Sequence, residues 1–95
     1  MSRSVAVVTT NHAARYTGQL VKHFAHRRPT ELAADHGWID FDYGRCTVQA
    51  GQALTLTCEG PAKTMAQLQD VVVRHLVRFA FRENELKVEW GPLQN

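Results

Sequence analysis

The chain has 95 residues, of which 44% are hydrophobic and 21% charged, with a formal net charge of +2. This is the size and composition of one folded domain, 1–95, and it argues against a disordered chain. No apolar run approaches the ~18 residues that span a bilayer, and residues 5–8 are too few for a signal-peptide core. We therefore expect a cytoplasmic protein with no membrane partner.

The first two elements are predicted to be a strand and a helix. Residues 4–9 are rich in β-branched side chains, which favours a strand. Apolar residues then recur at steps of three and four, so a helix is expected from about Asn11 to Arg28. Thr10 or Asn11 would cap it, and Pro29 would end it.

Four strands follow, joined by short turns. They are predicted near 30–34 and over 38–43, 45–50 and 54–59, with turns at 36–37, 43–44 and 51–53. Pairing Ala50 with Leu54 in the last hairpin keeps the apolar residues of both strands on one face, and it places Cys46 opposite Cys58. By the same argument Asp42 is expected opposite Arg45 in the preceding hairpin.

A second helix and a final strand complete the chain. Pro61 suits the first turn of a helix that ends near Arg82, and residues 86–90 alternate like a strand. The predicted fold is α+β: a two-layer sandwich with a mostly antiparallel sheet covered on one face by two helices, in the order β-α-β-β-β-β-α-β. The apolar stripe of the second helix consists of Met65, Leu68, Val72, Leu76 and Phe79.

Four segments of the chain resemble one bacterial family. They are residues 4–16, 22–26, 41–46 and 75–82, and they are similar to the "domain of unknown function 2218". The resemblance implies a free-standing bacterial domain, with related domains attached to siderophore-interacting flavin reductases, and it supplies no catalytic residues. Some members carry an aldolase label, but aldolases of that kind are barrels of about 250 residues, which this chain is too short to form.

Two histidines on the first helix are candidate metal ligands. His23 and His26 are three residues apart, a spacing that can present two imidazoles to one metal ion or to haem. Cations near the end of a helix also complement its free carbonyl groups, and we favour this structural role. His75, at the margin of the second helical stripe, is expected to be a partly buried core residue. Cys46 and Cys58 are expected to be packed thiols, although a disulfide or a redox pair stays open.

One face of the predicted sheet carries polar residues and a tryptophan. Trp38, Asp40, Asp42 and Arg45 lie on it, and paired carboxylates could act as acid and base. A solvated face with ion pairs is the favoured interpretation, because catalysis needs a partly dry pocket. An exposed Trp38 would indicate a contact surface, such as a homodimer interface. If Val5 and Val7 face the helices, the other side of their strand also needs a cover.

Positive charge is concentrated on the predicted helices. Segments 11–28 and 62–82 carry eight Lys and Arg residues against one Asp, a net charge of +7. The rest of the chain carries three basic and eight acidic residues, a net charge of −5. A basic helical face suits an acidic protein or a small anionic ligand. The aromatic residues that single-stranded nucleic acid needs are not interleaved with it, so nucleic acid is not expected. The candidate binding residues here are Arg15, Lys22, Arg74 and Arg78.

Three function hypotheses remain open. The first is a non-enzymatic binding or accessory module, placed in iron or siderophore metabolism by the resemblance alone. The second is a small lyase that would use Asp40, Asp42 or His23 with Arg45. The third is a metal or haem binder through His23 and His26. Phosphate-loop and dinucleotide fingerprints are absent, so no cofactor is predicted.

Overall fold

The computed structural model describes residues 1–80 and 86–94. Its elements form one five-stranded antiparallel sheet in the order β1-β5-β4-β3-β2, with two helices packed on it. The predicted α+β class and two-layer architecture are confirmed. The elements are β1 (Ser2–Val8), α1 (Ala13–Phe24), β2 (Thr30–Leu32), β3 (His36–Phe41), β4 (Gly44–Ala50), β5 (Leu54–Gly60), a 3-10 turn (Ala62–Thr64) and α2 (Met65–Phe79).

The core lies between the helices and the inner face of the sheet. The predicted stripes of both helices are buried there, except that Phe24 and Phe79 are partly exposed. In β1 the inner residues are Ala6 and Val8, whereas Val7 is 62% exposed. The opposite orientation, in which Val5 and Val7 face the helices, had been considered from the sequence. The other strands supply Ile39, Phe41, Cys46, Val48, Leu54, Leu56 and Cys58.

The strand registers are predicted correctly in one hairpin and are wrong by two residues in the other. Cys46 pairs with Cys58 across β4 and β5, as predicted. Across β3 and β4, however, Arg45 pairs with Asp40 rather than with Asp42. A shift of two residues keeps every side chain on its face, so alternation could not detect it. The close approach at Gly44 fixes the actual register: its φ is 147°, and an added Cβ would lie 2.6 Å from the Glu59 carbonyl oxygen.

Several element ends also differ from the sequence prediction. Helix α1 is shorter than predicted, and Thr10 accepts the backbone N–H of His12 just before it begins. Residues 36–37 belong to β3, so the preceding turn spans 33–35. The predicted last strand is an extended segment with two isolated bridges to β1, Arg3 to Gln94 and Ala6 to Trp90. The predicted end of the second helix at Arg82 lies outside the described residues.

Candidate functional site

A pocket of about 520 Å³ opens where the last turns of α1 and α2 meet. Both helices pack on the same face of the sheet, so residues far apart in the chain share this end of the helical layer. His23 and His26 were predicted from the sequence as candidates, and His75 joins them from α2. We call this site the histidine pocket, and it is lined by His23, Phe24, His26, Arg27 and His75.

Aromatic contacts fix the walls of the histidine pocket. The rings of His23 and His75 lie 4.9 Å apart between centroids, and Phe24 lies 4.8 Å from His75. Phe79 borders His23 at 5.6 Å, and Phe24 continues into the core through Phe41 at 5.1 Å. The rings of His23 and His75 therefore pack against aromatic side chains that join the core, whereas His26 makes no such ring contact within the described ranges and, like His23, is exposed.

The orientation of His75 is set by its own helix. Its Nδ1 lies 2.7 Å from the carbonyl oxygen of Val71, one turn earlier in α2. A carbonyl only accepts hydrogen bonds, so Nδ1 carries the proton and donates it. In the neutral ring, Nε2 is then the atom left to accept a proton or bind a ligand.

The charges around His23 disfavour further positive charge. Partial desolvation of the ring lowers the pKa of His23 below its usual 6.5, and positive charge on four neighbours lowers this pKa further. All the electrostatic causes act in the same direction. The charged neighbours of His23 therefore disfavour its imidazolium form. The four neighbours are His75, Arg78, His26 and Arg27.

The carbonyl ends of the two helices act on His23 in the opposite direction to these positive neighbours. Each helix contributes a partial charge of roughly −0.5 at its C-terminus. Arg27 and Arg78 each contribute a full positive charge nearby, and protonation of the histidines adds to it. Simple capping of carbonyl groups, the role favoured from the sequence, accounts for some of this charge. It does not by itself explain why two guanidinium groups and two further imidazoles lie around one histidine ring.

Metal-binding geometry is only partial at this site. His23 and His75 face each other at 4.9 Å, whereas the sequence had paired His23 with His26. In the ranges 1–80 and 86–94, no group of three His, Cys, Asp or Glu side chains is close enough to hold a metal ion. A structural zinc site needs about four protein ligands and a catalytic site about three. The described residues of the histidine pocket therefore offer two facing imidazoles and not a complete coordination shell.

Trp38 and its neighbours form a second feature on the opposite side of the molecule. We call this surface, which points away from both helices, the outer sheet face. The Arg45 guanidinium lies 4.1 Å from the centre of the Trp38 ring, and its Nη2 donates to Asp40 at 3.0 Å. This pairing lowers the pKa of the Asp40 carboxyl. Trp38 is half-buried rather than exposed as predicted, because Arg45 covers it.

Asp42 does not belong to this group. It lies in the turn between β3 and β4 and pairs with Arg28 at 3.0 Å, on the side of α1. The predicted placement of both carboxylates beside Arg45 is therefore wrong: Asp40 forms an ion pair with Arg45, whereas Asp42 pairs with Arg28. His23 is in the helical layer, so the constellation of His23 with Arg45 considered for a lyase is not brought together.

The basic residues predicted on the helices lie at the surface. Arg15, Lys22, Arg74 and Arg78 are all exposed, and Arg74 lies 3.6 Å from Asp70 in an ordinary pair one turn apart. Only Arg78 of these four acts electrostatically on His23. Sequence reasoning missed Arg27 and His75 as members of one site. The sequence indicated only that His75 lies at the edge of the apolar stripe of the second helix. That position did not show that His75 contacts residues of α1.

The two cysteines are buried free thiols. Cys46 and Cys58 pair across β4 and β5 on the inner face, and neither is exposed. Hydrogen bonding to Cys58 and burial both raise the pKa of the Cys46 thiol. They are packed thiols, as favoured from the sequence, and contribute to the core rather than to the histidine pocket.

Comparison with known proteins gives a family and a fold. A sequence profile described as "Uncharacterized protein conserved in bacteria (DUF2218)" matches residues 5–91. The chain is similar to a solved structure titled "NMR structure of PA4090 from Pseudomonas aeruginosa", with 35% identity, 97% of each chain covered and a TM-score of 0.80. No curated protein matches. No helix in the described part of the chain is long and apolar enough to cross a membrane.

Proposed function

The chain belongs to the DUF2218 family of uncharacterised bacterial proteins, and we propose that it is a non-enzymatic binding module that takes a small organic anion into the histidine pocket. The observation that carries this proposal is the pocket itself, in which the Arg27 guanidinium lies with the facing imidazoles of His23 and His75. An anion is the ligand whose charge such a site stabilises.

The lining indicates which part of a ligand goes where. Arg27 and His26 supply charged or polar hydrogen-bond donors, and a guanidinium pairs well with a carboxylate or phosphate. Phe24 and the faces of His23 and His75 supply flat apolar surface. A compact anion with a planar or apolar body fits both kinds of surface better than a bare inorganic ion.

The proposal has two more specific parts, a link to iron metabolism and a cytoplasmic location. Iron or siderophore metabolism comes from the family resemblance alone, and anionic iron chelators are one member of the ligand class. A cytoplasmic location is supported by the two buried free thiols, which are typical of reducing compartments. Titrating ferric citrate and citrate separately, in the calorimetry described next, compares their affinities and so tests the link to iron metabolism.

Isothermal titration calorimetry at pH 6 and constant ionic strength tests the binding site. We expect saturable binding of benzoate, weaker binding of phosphate, and none of benzamide, which has the same shape without the charge. Arg27→Ala should weaken benzoate binding at least ~10-fold. Arg15→Ala removes the same charge from the exposed surface of α1, outside the pocket lining, and should change the affinity less than ~2-fold. Equal effects of the two substitutions, or no saturable binding of either anion, would contradict the proposal.

A second candidate is metal binding through His23 and His75. It is favoured by the 4.9 Å separation of their rings and by the Nδ1 hydrogen bond, which leaves the Nε2 atom of His75 available. Cobalt(II) titration with absorption spectroscopy tests it. Tight binding that is lost in His75→Gln and kept in His12→Gln would support this candidate over the anion site.

A further inference from the structure

The outer sheet face carries a row of charges that alternates in sign across four strands. Arg3 pairs with Glu59, Glu59 with Arg45, and Arg45 with Asp40, as neighbours in register across β1, β5, β4 and β3. The electrostatic influence of Glu59 and Asp40 on Arg45 agrees with their lying on one face. Across the sheet the signs are therefore plus, minus, plus, minus.

Such a row is complementary to its own reversed copy. Consider a two-fold axis that lies in the plane of contact, parallel to the strands and between β5 and β4. Rotation about it places Arg3 against the partner copy's Asp40 position and Glu59 against its Arg45 position. Each dimer then contains four opposite-charge contacts. An axis across the strands instead would place the charged row either against its own copy, like charge against like charge, or against uncharged residues, so the charge pattern selects one orientation.

The adjacent row fits the same axis. Val5, Thr57, Thr47 and Trp38 are neighbours in register on these strands. The rotation brings Val5 against the Trp38 position of the second copy and Thr57 against its Thr47 position. Apolar side chains thus meet apolar side chains, and hydroxyl groups meet hydroxyl groups. The exposed Val7, in the next row, adds apolar surface that this packing would cover.

We infer that the outer sheet face is the interface of a symmetric dimer in which two copies of this chain pack sheet against sheet. Five strands of up to seven residues present a face of about 24 by 23 Å. Two such faces bury an area near the lower limit of roughly 1,000 Å² for a specific interface. The dimer should therefore be weak and dependent on concentration and salt. It involves the layer opposite the histidine pocket and does not rest on the proposed function.

A charge-swap experiment tests the inference by native mass spectrometry and sedimentation at low salt. Glu59→Arg and Arg45→Glu each create two like-charge contacts per homodimer, so each dissociation constant should rise at least ~30-fold. In an equimolar mixture all four contacts become complementary again, and the heterodimer should form. Asp70→Arg and Arg74→Glu, a matched pair on the exposed surface of α2, should dimerise like the unmodified chain.

A measurement on the unmodified chain removes any dependence on the folding of the variants. Val5 and Trp38 lie three strands apart, about 14 Å within one chain. In a mixture of isotope-labelled and unlabelled protein, a filtered nuclear Overhauser effect between Val5 methyl groups and the Trp38 ring reports contact between copies. That signal, with a heterodimer from the swapped variants, is the expected result. A monomer at all concentrations, or a dimer whose swapped variants do not pair, would overturn the inference.

Discussion

Replacing Gly44 by alanine should destabilise the protein strongly, because two separate costs apply at this position. The φ of Gly44 is 147°, a conformation that side-chain-bearing residues rarely adopt. An added Cβ would also lie 2.6 Å from the Glu59 carbonyl oxygen and 2.8 Å from Cδ2 of Leu68. Since the first neighbour is backbone in the centre of the sheet, it is not free to move away.

The expected loss is about 2–4 kcal/mol, of which about 1–2 kcal/mol is the cost of the backbone conformation alone. For a domain of this size, 1 kcal/mol shifts the melting temperature by roughly 4–8 °C. Gly44→Ala should therefore lower it by roughly 10–25 °C. Thermal unfolding followed by circular dichroism, with urea unfolding for the free energy, measures both quantities.

Gly18→Ala is the matched control. Gly18 lies inside α1, and an added Cβ would meet no atom within 4 Å. Alanine is a better helix former than glycine by about 0.8–1 kcal/mol, so this variant should be more stable than the unmodified chain. The same chemical change should thus have opposite signs at the two positions. A Gly44→Ala variant that unfolds at the original temperature would refute the account of the β3–β4 turn.

Three further predictions concern buried or charged groups. Because the pKa of His23 is lowered on folding, the unfolded chain binds more protons, and the free energy of unfolding should fall as the pH drops from 6.5 through the folded pKa. In urea unfolding measured at a series of pH values, His23→Gln should weaken this pH dependence. Thr17 has a buried hydroxyl with no hydrogen-bond partner among the described residues, so Thr17→Val should raise the free energy of unfolding by about 1 kcal/mol. A decrease of the same size would show that the hydroxyl does form a hydrogen bond. A thiol reagent such as Ellman's reagent should modify Cys46 and Cys58 only as fast as the chain unfolds, and rapid labelling of the native protein would contradict their burial.

The sequence was sufficient for the fold and for the faces of its elements. Periodicity in both helices and alternation in β4 and β5 are local patterns, and burial on one face explains each of them. The register of β3 against β4 could not be obtained this way, because a shift from Asp42 to Asp40 opposite Arg45 keeps the same faces. It depends on the turn at Gly44, whose backbone conformation reflects its neighbours in β5 and α2.

The site was only partly predictable. His23 and His26 are three residues apart in sequence, so their closeness could be predicted even though His26 lies in the turn just after α1. His75 comes from α2, and its contact with His23 depends on how the two helices lie on the sheet, which no local pattern records. The half-buried state of Trp38 likewise results from a neighbouring strand, since Arg45 lies over its ring.

Nuclear magnetic resonance titration of the His23 imidazole tests the anion-binding proposal most directly. Without ligand, the pKa of His23 should lie below its usual 6.5, because desolvation and positive neighbours act on the ring. Saturating benzoate should raise this pKa, since a bound anion stabilises the imidazolium. A His23 pKa that is the same with and without benzoate would contradict the proposal that anions bind in the histidine pocket.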